Sequence, residues 1–218
     1  MTDKTHSKTS FDEYAEEYDK WYDENKKMYE LELDAVKKFI PKSKRKTGYT
    51  NQRFVKPKEK KKGLEIGVGT GRFAEPLGIE YGLEPSKSMA EIAKKRGINV
   101  YEGVAEDIPF KDEFFDYVLM TTTLCFLKDP IKGLKEIKRI LKPNGTLIIG
   151  TIDKDSPLGK FYESKKEKSK FYKDATFYSL NEVLNWLKEL GYKNIVYNRV
   201  KLNEKDDEGS FVVICAEK

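Results

Sequence analysis

The chain has 218 residues, enough for one domain with a full core. It has no run of 18 apolar residues, and its opening stretch MTDKTHSKTSFDEYAEEYDKWYD is polar, so neither a membrane-spanning helix nor a signal peptide is expected, and a cytoplasmic protein is. The formal net charge of +5 hides an asymmetry: residues 42–62 contribute +9, leaving −4 for the rest.

In chain order, the sole histidine, His6, lies in a polar leader and is no candidate for a general base. A helix is predicted over 11–23, where Phe11, Tyr14, Tyr18 and Trp21 recur at helical spacing. A second helix, YELELDAVKKFI, is stopped by Pro41, and together residues 11–40 read as a helical cap. The basic segment 42–62 reads as a flexible, solvated loop or as a contact surface for an anionic partner.

From Gly63 the pattern alternates. LEIG, YGLEP, INVYEG, FDYVLMT and TLIIGT read as strands, with SKSMAEIAKKR and DPIKGLKEIKRILK as helices between them. Such alternation specifies a parallel sheet with helices on both faces. Pro143-Asn144-Gly145 separates a helix from a strand. Residues 156–178 form a polar, tyrosine-rich excursion, expected on the substrate side. SLNEVLNWLKELGY is a capped amphipathic helix ending at Gly191. KNIVYNRVKL and SFVVICAEK read as an antiparallel edge hairpin. The expectation is therefore one domain over 1–218, with a doubly wound, three-layer α/β/α core over 63–218, mostly parallel and closed by that hairpin. Cys125 and Cys215 sit in apolar runs and read as small buried hydrophobes. Without a CxxC or paired histidines, no metal is expected.

LEIGVGTGRF, residues 64–73, carries the chemistry. A strand ends in a glycine-rich turn, where Gly67, Gly69 and Gly71 let backbone approach a ligand closely. Dinucleotide loops space their glycines as GxGxxG; here the spacing is GxGxG after Glu65, and Arg72 stands where the last glycine of the dinucleotide loop would be. In YGLEPS, Glu84 and Pro85 close the second strand. A carboxylate there can accept both hydroxyls of a ribose, or it is a surface residue at a strand end.

These residues resemble the E/DxGxGxG first motif of class I S-adenosylmethionine (SAM)-dependent methyltransferases, in particular the small-molecule type 11, ubiquinone-methyltransferase-like family. GVAEDIPFKDEFFDYVLM resembles that family's G-D-A-E-x-L-P-F…FD segment, and FDEYAEEYDKWYD its FDxxAxxYD opening helix. LKEIKRILKPNGTLII resembles its R-x-L-K-P-G-G strand entry. The resemblance covers 11–23 and about 63–153. It implies a Rossmann-like fold, S-adenosyl-L-methionine as cofactor, and cofactor contacts from Tyr18, Glu65, Gly67, Gly69, Gly71, Glu84, Pro85, Met89, Ala105, Glu106, Asp107 and Thr121. Met89 also fits a core position. Val104 departs from the acidic or amide residue that the family often has there. The stretch from Arg72 to Glu80 is trimmed, so the helix after the glycine turn is expected to be brief.

The methyl of a sulfonium is already electrophilic, so no catalytic side chain is obligatory, and none is assigned. The MTTTLCFL strand end lacks the Asn/Asp-Pro-Pro-Tyr/Phe signature of amide and nucleobase methylation. The leading reading is N- or O-methylation of a small molecule. Its pocket would be formed by the opening helix, Thr121–Thr123 and the excursion, with Tyr14, Tyr22, Thr122 and Tyr178 as substrate contacts and Tyr162 and Tyr172 as further candidates. Two alternatives stand: an RNA-directed enzyme using the basic segment, whose stacking aromatics are limited to Tyr49 and Phe54, and an inactive SAM-binding protein. The opening helix is expected to act as a mobile cover that the sheet does not need for completion.

Overall fold

A computed structural model describes residues 9–42, 60–204 and 206–218. His6 and positions 43–59 of the basic segment lie outside the described residues. At the end of that segment, Lys60 pairs with Glu80 at 2.6 Å and the Lys62 ammonium lies 3.8 Å from the centre of the Phe114 ring.

The opening segment forms three helices: α1 (Ser10–Glu13), α2 (Ala15–Glu24) and α3 (Lys26–Lys37). Thr9 caps α1 in a reciprocal capping box with Asp12. Tyr14 and Asn25 leave helical geometry and kink the chain between the helices, so the one helix expected over 11–23 is divided.

The remaining strands are β1 (Gly63–Ile66), β2 (Tyr81–Leu83), β3 (Asn99–Tyr101), β4 (Phe115–Thr121), β5 (Leu141–Ile152), β6 (Lys193–Val200) and β7 (Phe211–Glu217). The helices are α4 (Ala74–Leu77), α5 (Lys87–Lys95), α6 (Pro130–Ile140), α7 (Pro157–Lys165) and α8 (Leu180–Glu189). They build one sheet in the order β3-β2-β1-β4-β5-β7-β6. β1 to β5 are parallel, and β7 runs antiparallel between β5 and β6. The hairpin therefore enters with its second strand innermost. Composition explains why: FVVI of β7 is buried on both faces, whereas β6 is mostly exposed and suits an edge. Opposite Phe115 and Tyr117 of β4, the β5 chain bulges out over 142–145, with Asn144 at φ +59°, which is where the Pro-Asn-Gly signal falls.

Strand order reverses between β1 and β4, which opens a crevice at the carboxyl ends of the strands. On one face of the sheet, Leu134, Ile137 and Ile140 of α6 and Val183 and Leu187 of α8 pack onto Leu64, Ile66, Val118, Met120 and Leu147. On the other face α4 is a single turn, ended at Gly78 with φ +67°. The apolar surface it leaves open is covered by α3, whose Ala35 and Val36 join Phe73, Leu119, Ile148, Phe211 and Val213 in one cluster. Tyr22 of α2 is buried in the same cluster. The cap is thus part of the core: it adds no strand, so the sheet is complete without it as expected, but it buries part of one sheet face. A trimmed α4 leaves a face that only the preceding helices can bury.

Because Val36 is fully buried, Val36→Ala is expected to lower the unfolding free energy by about 2 kcal/mol. Urea denaturation at constant slope measures this. An unchanged midpoint would mean that α3 only rests on the surface.

Candidate functional site

The turn after β1 passes under the opening helices. The Gly67 and Val68 amides both donate to the Leu83 carbonyl and carry the pairing with β2 past the strand end. Gly67 has φ +64°, and a Cβ there would come within 2.3 Å of the Thr123 side chain. Gly69, at φ +53°, would meet only Tyr18, at 4.0 Å, so its bare backbone faces a cavity. Gly71 serves packing instead: a Cβ there would lie 2.5 Å from Ile98.

Two acids line that cavity. Glu84 accepts from the Gly69 amide and, through its other oxygen, from the Ser86 amide, both at 2.9 Å. Burial pushes its pKa up to about 7, against the lowering effect of those two amides. Burial also raises Glu65 well above the carboxylate range, and the Glu84 charge adds to the effect. Glu65 Oε2 and Thr121 Oγ1 are buried and have no hydrogen-bond partner among the described residues. Such orphans in a cavity wall are sites for ligand donors and acceptors. Thr122, next along, holds φ +51°, which is rare for a β-branched residue, with its amide on the Gly150 carbonyl at 2.8 Å.

Phe11, Tyr18 and Tyr22 close the cavity from α1 and α2, and Pro85, Met89 and Phe126 complete its apolar wall. The Tyr18 and Tyr22 hydroxyls are 3.0 Å apart. Burial holds Tyr18 up at about 12, so both stay protonated. Phe11 packs edge-on against Phe126 at 5.0 Å and stacks near Phe171 at 5.6 Å. This cover is anchored by charge. Arg72 donates to Asp19 through Nε at 2.9 Å and to Asp23 at 2.7 Å, and Arg96 donates to Asp19 at 2.9 Å. The Ser86 hydroxyl reaches Asp12 at 2.7 Å.

A second chamber adjoins the first and shares Tyr18, Tyr22 and Thr122 with it. Its other walls come from Trp21, Ile152, Tyr162, Phe171 and Tyr172, so part of the 156–178 segment lines space beside the cavity. Glu32 of α3 faces into this chamber and is only 5% exposed. Burial pushes its pKa up to about 8.

Of the residues read from the sequence, the structure brings Tyr18, Glu65, Gly67, Gly69, Glu84, Pro85, Met89 and Thr121 to one cavity, with Tyr22 and Thr122 between the two chambers. It does not bring Gly71, Ala105, Glu106, Asp107, Tyr14 or Tyr178 to either lining. Ala105 packs in the core, Glu106 accepts from the Lys128 and Asp129 amides at the start of α6, and Asp107 is exposed. The Tyr14 ring lies 4.7 Å from the Lys170 ammonium, and Tyr178 packs edge-on against Trp186 at 4.8 Å. Sequence reasoning missed Phe126, Phe171 and Glu32. Phe11 was visible as part of the aromatic stripe but was assigned no contact.

Known proteins resemble this chain over most of its length. Residues 64–149 match a family model described as a methyltransferase domain. The chain is 51% identical to an uncharacterised protein of Methanocaldococcus jannaschii, over 95% of this chain and 98% of that one. It is similar to a crystal structure from Thermotoga maritima described as a SAM-dependent methyltransferase, possible histamine N-methyltransferase: TM-score 0.82, 41% identity, covering 96% of this chain and 98% of that one. An uncharacterised Mycobacterium tuberculosis protein is 34% identical over 87% of this chain, which spans 62% of that protein.

Glu32 sets a pH dependence. The unfolded chain ionises it near its ordinary value of about 4.3, the folded chain only near 8. The native state therefore holds the extra proton between those values, and the stability Glu32 allows below pH 4 is lost as pH rises through 8. Glu32→Gln should gain on the wild type across that window, by on the order of 5 °C in Tm at pH 9 relative to pH 5. Parallel Tm–pH curves from scanning calorimetry would contradict the buried-acid assignment.

Proposed function

The chain belongs to the SAM-dependent methyltransferases, and we infer that it methylates a nitrogen or oxygen atom of a small-molecule acceptor. One observation carries this reading: beside the cavity at the glycine turn, and sharing Tyr18, Tyr22 and Thr122 with it, lies an aromatic-lined chamber of its own. A small molecule fits such a chamber; a polynucleotide needs an open basic groove.

The cavity suits the cofactor on its own chemistry. Glu84, pinned by two amides, keeps lone pairs for the two ribose hydroxyls. The unpartnered Glu65 Oε2 is an acceptor for the ammonium group of the methionine part, whose charge would favour the ionised form of Glu65 on binding. Gly67 and Gly69 leave room for close approach, and Pro85 and Met89 offer apolar walls to the adenine. When bound, SAM supplies a methyl group whose bond electrons stay on sulfur as the acceptor lone pair forms the new bond. The protein's share is to align the acceptor and keep water out. The aromatic cover of Phe11, Tyr18 and Tyr22 does the second, and the shared wall fixes the direction of the first.

Titration calorimetry with S-adenosylhomocysteine should show binding at micromolar strength. Glu84→Ala should weaken it at least tenfold, about 1.4 kcal/mol. Gly69→Val should also weaken it, since it forces a branched side chain into left-handed backbone facing the cavity. NAD should not compete. Unchanged affinity in both variants would remove the site assignment.

A further inference from the structure

Helix α3 has its charges on the outside, with one exception. Glu30 is exposed and pairs with Lys26, whereas Glu32 points inward and has no hydrogen bond or ion pair among the described residues. A carboxylate taken from water without a partner is costly, and an apolar residue would pack more favourably. Neither the fold nor the cofactor cavity uses it. It faces the one space in which the acceptor would sit.

We propose that Glu32 selects and deprotonates the acceptor, and that the acceptor is a small monoamine entering as its ammonium ion. This rests on the methyl-transfer reading of the adjoining cavity and adds the substrate class.

An ammonium ion supplies what Glu32 lacks, a charged donor at the floor of the chamber. Trp21, Tyr162, Phe171 and Tyr172 also line the chamber, and aromatic rings suit a cation over their faces and its hydrocarbon body beside them. An ammonium nitrogen has no lone pair and cannot accept a methyl group. The proton passes from nitrogen to a Glu32 carboxylate oxygen, which leaves the lone pair on nitrogen and a neutral acid on Glu32. Burial, by raising Glu32 to about 8, brings its proton affinity closer to that of an alkylamine near 10.4. When product leaves, Glu32 keeps that proton as the neutral acid of the resting site, and it gives the proton to water as the next ammonium ion binds. The other titratable groups lining the chamber do not compete. The Tyr18, Tyr22, Tyr162 and Tyr172 hydroxyls are all raised by burial and stay protonated. Lys165 and Lys168, also in the lining, are exposed and stand on its solvent side. Their charges disfavour a second cation at the outer end, hence a monoamine.

The test is titration calorimetry on the full chain saturated with S-adenosylhomocysteine. The probes are 2-phenylethylamine and propylamine, against 2-phenylethanol, propanol and 3-phenylpropanoate. The amines should bind at least tenfold more tightly than the matched alcohols and the acid. At pH 7 binding should release protons, read from its dependence on buffer ionisation heat, because ion pairing ionises Glu32. Glu32→Gln should weaken the amines at least tenfold and leave S-adenosylhomocysteine affinity unchanged. Amines no tighter than alcohols, no proton release, or equal amine affinity in Glu32→Gln would each overturn the proposal. The first two readings come from the wild type and decide the matter even if the variant fails to fold. Failure of S-adenosylhomocysteine to bind the wild type would sink the underlying reading and the proposal with it; binding without amine preference sinks the proposal alone.

Discussion

Asp19 lies between two guanidinium groups, and the site is assembled around it. Burial alone would raise its carboxyl, but hydrogen bonds from Arg72 and Arg96 outweigh that and hold it near 2. Arg72 follows the last glycine of the turn, Arg96 ends α5 and also donates to the Thr70 carbonyl, and Asp19 is on α2. One charged cluster therefore joins the glycine turn, the helix after β2 and the aromatic cover. With 17–19% of these side chains exposed, the pairs are partly sheltered from screening, and the Arg72–Asp19 contact is bidentate, which fixes its geometry. The cluster thus adds a charged tie to the packing that holds Tyr18 beside Gly69.

That clamp also reconciles two demands on the opening helices. They bury the sheet face left open by the one-turn α4, and they roof the cavity. The division at Tyr14 and Asn25 separates the tasks: α3 packs on the sheet, α2 serves both, and α1 reaches over to Ser86. Burial differs accordingly: α1 has no buried residue, whereas α3 buries Glu32, Ala35 and Val36.

The strands were legible because each is a short apolar run between turn residues, and the brevity of α4 was legible from the trimmed span between Arg72 and Glu80. The glycine turn and Glu84 were legible because spacing distinguishes this loop from a dinucleotide loop. What the sequence hid depends on direction in space. In YELELD, Glu30 and Glu32 look alike, yet one faces water and the other an aromatic-lined chamber. Arg72 read as a departure from a glycine pattern, while its partners lie 49 and 53 residues away. Ala105 to Asp107 matched a motif, but in this structure the Glu106 carboxylate is engaged by the start of α6. The inner place of β7 needed the contrast between a doubly buried strand and a polar one to be weighed across the hairpin.

The central claim is that one cavity, roofed by α1 and α2, receives the cofactor beside a separate acceptor chamber. Hydrogen–deuterium exchange with and without S-adenosylhomocysteine tests it most directly. Protection should appear in residues 11–23, 66–70 and 121–123 and exceed any change in 180–190. Protection confined to the glycine turn, with residues 11–23 exchanging as before, would contradict the claim that the opening helices close over the cofactor.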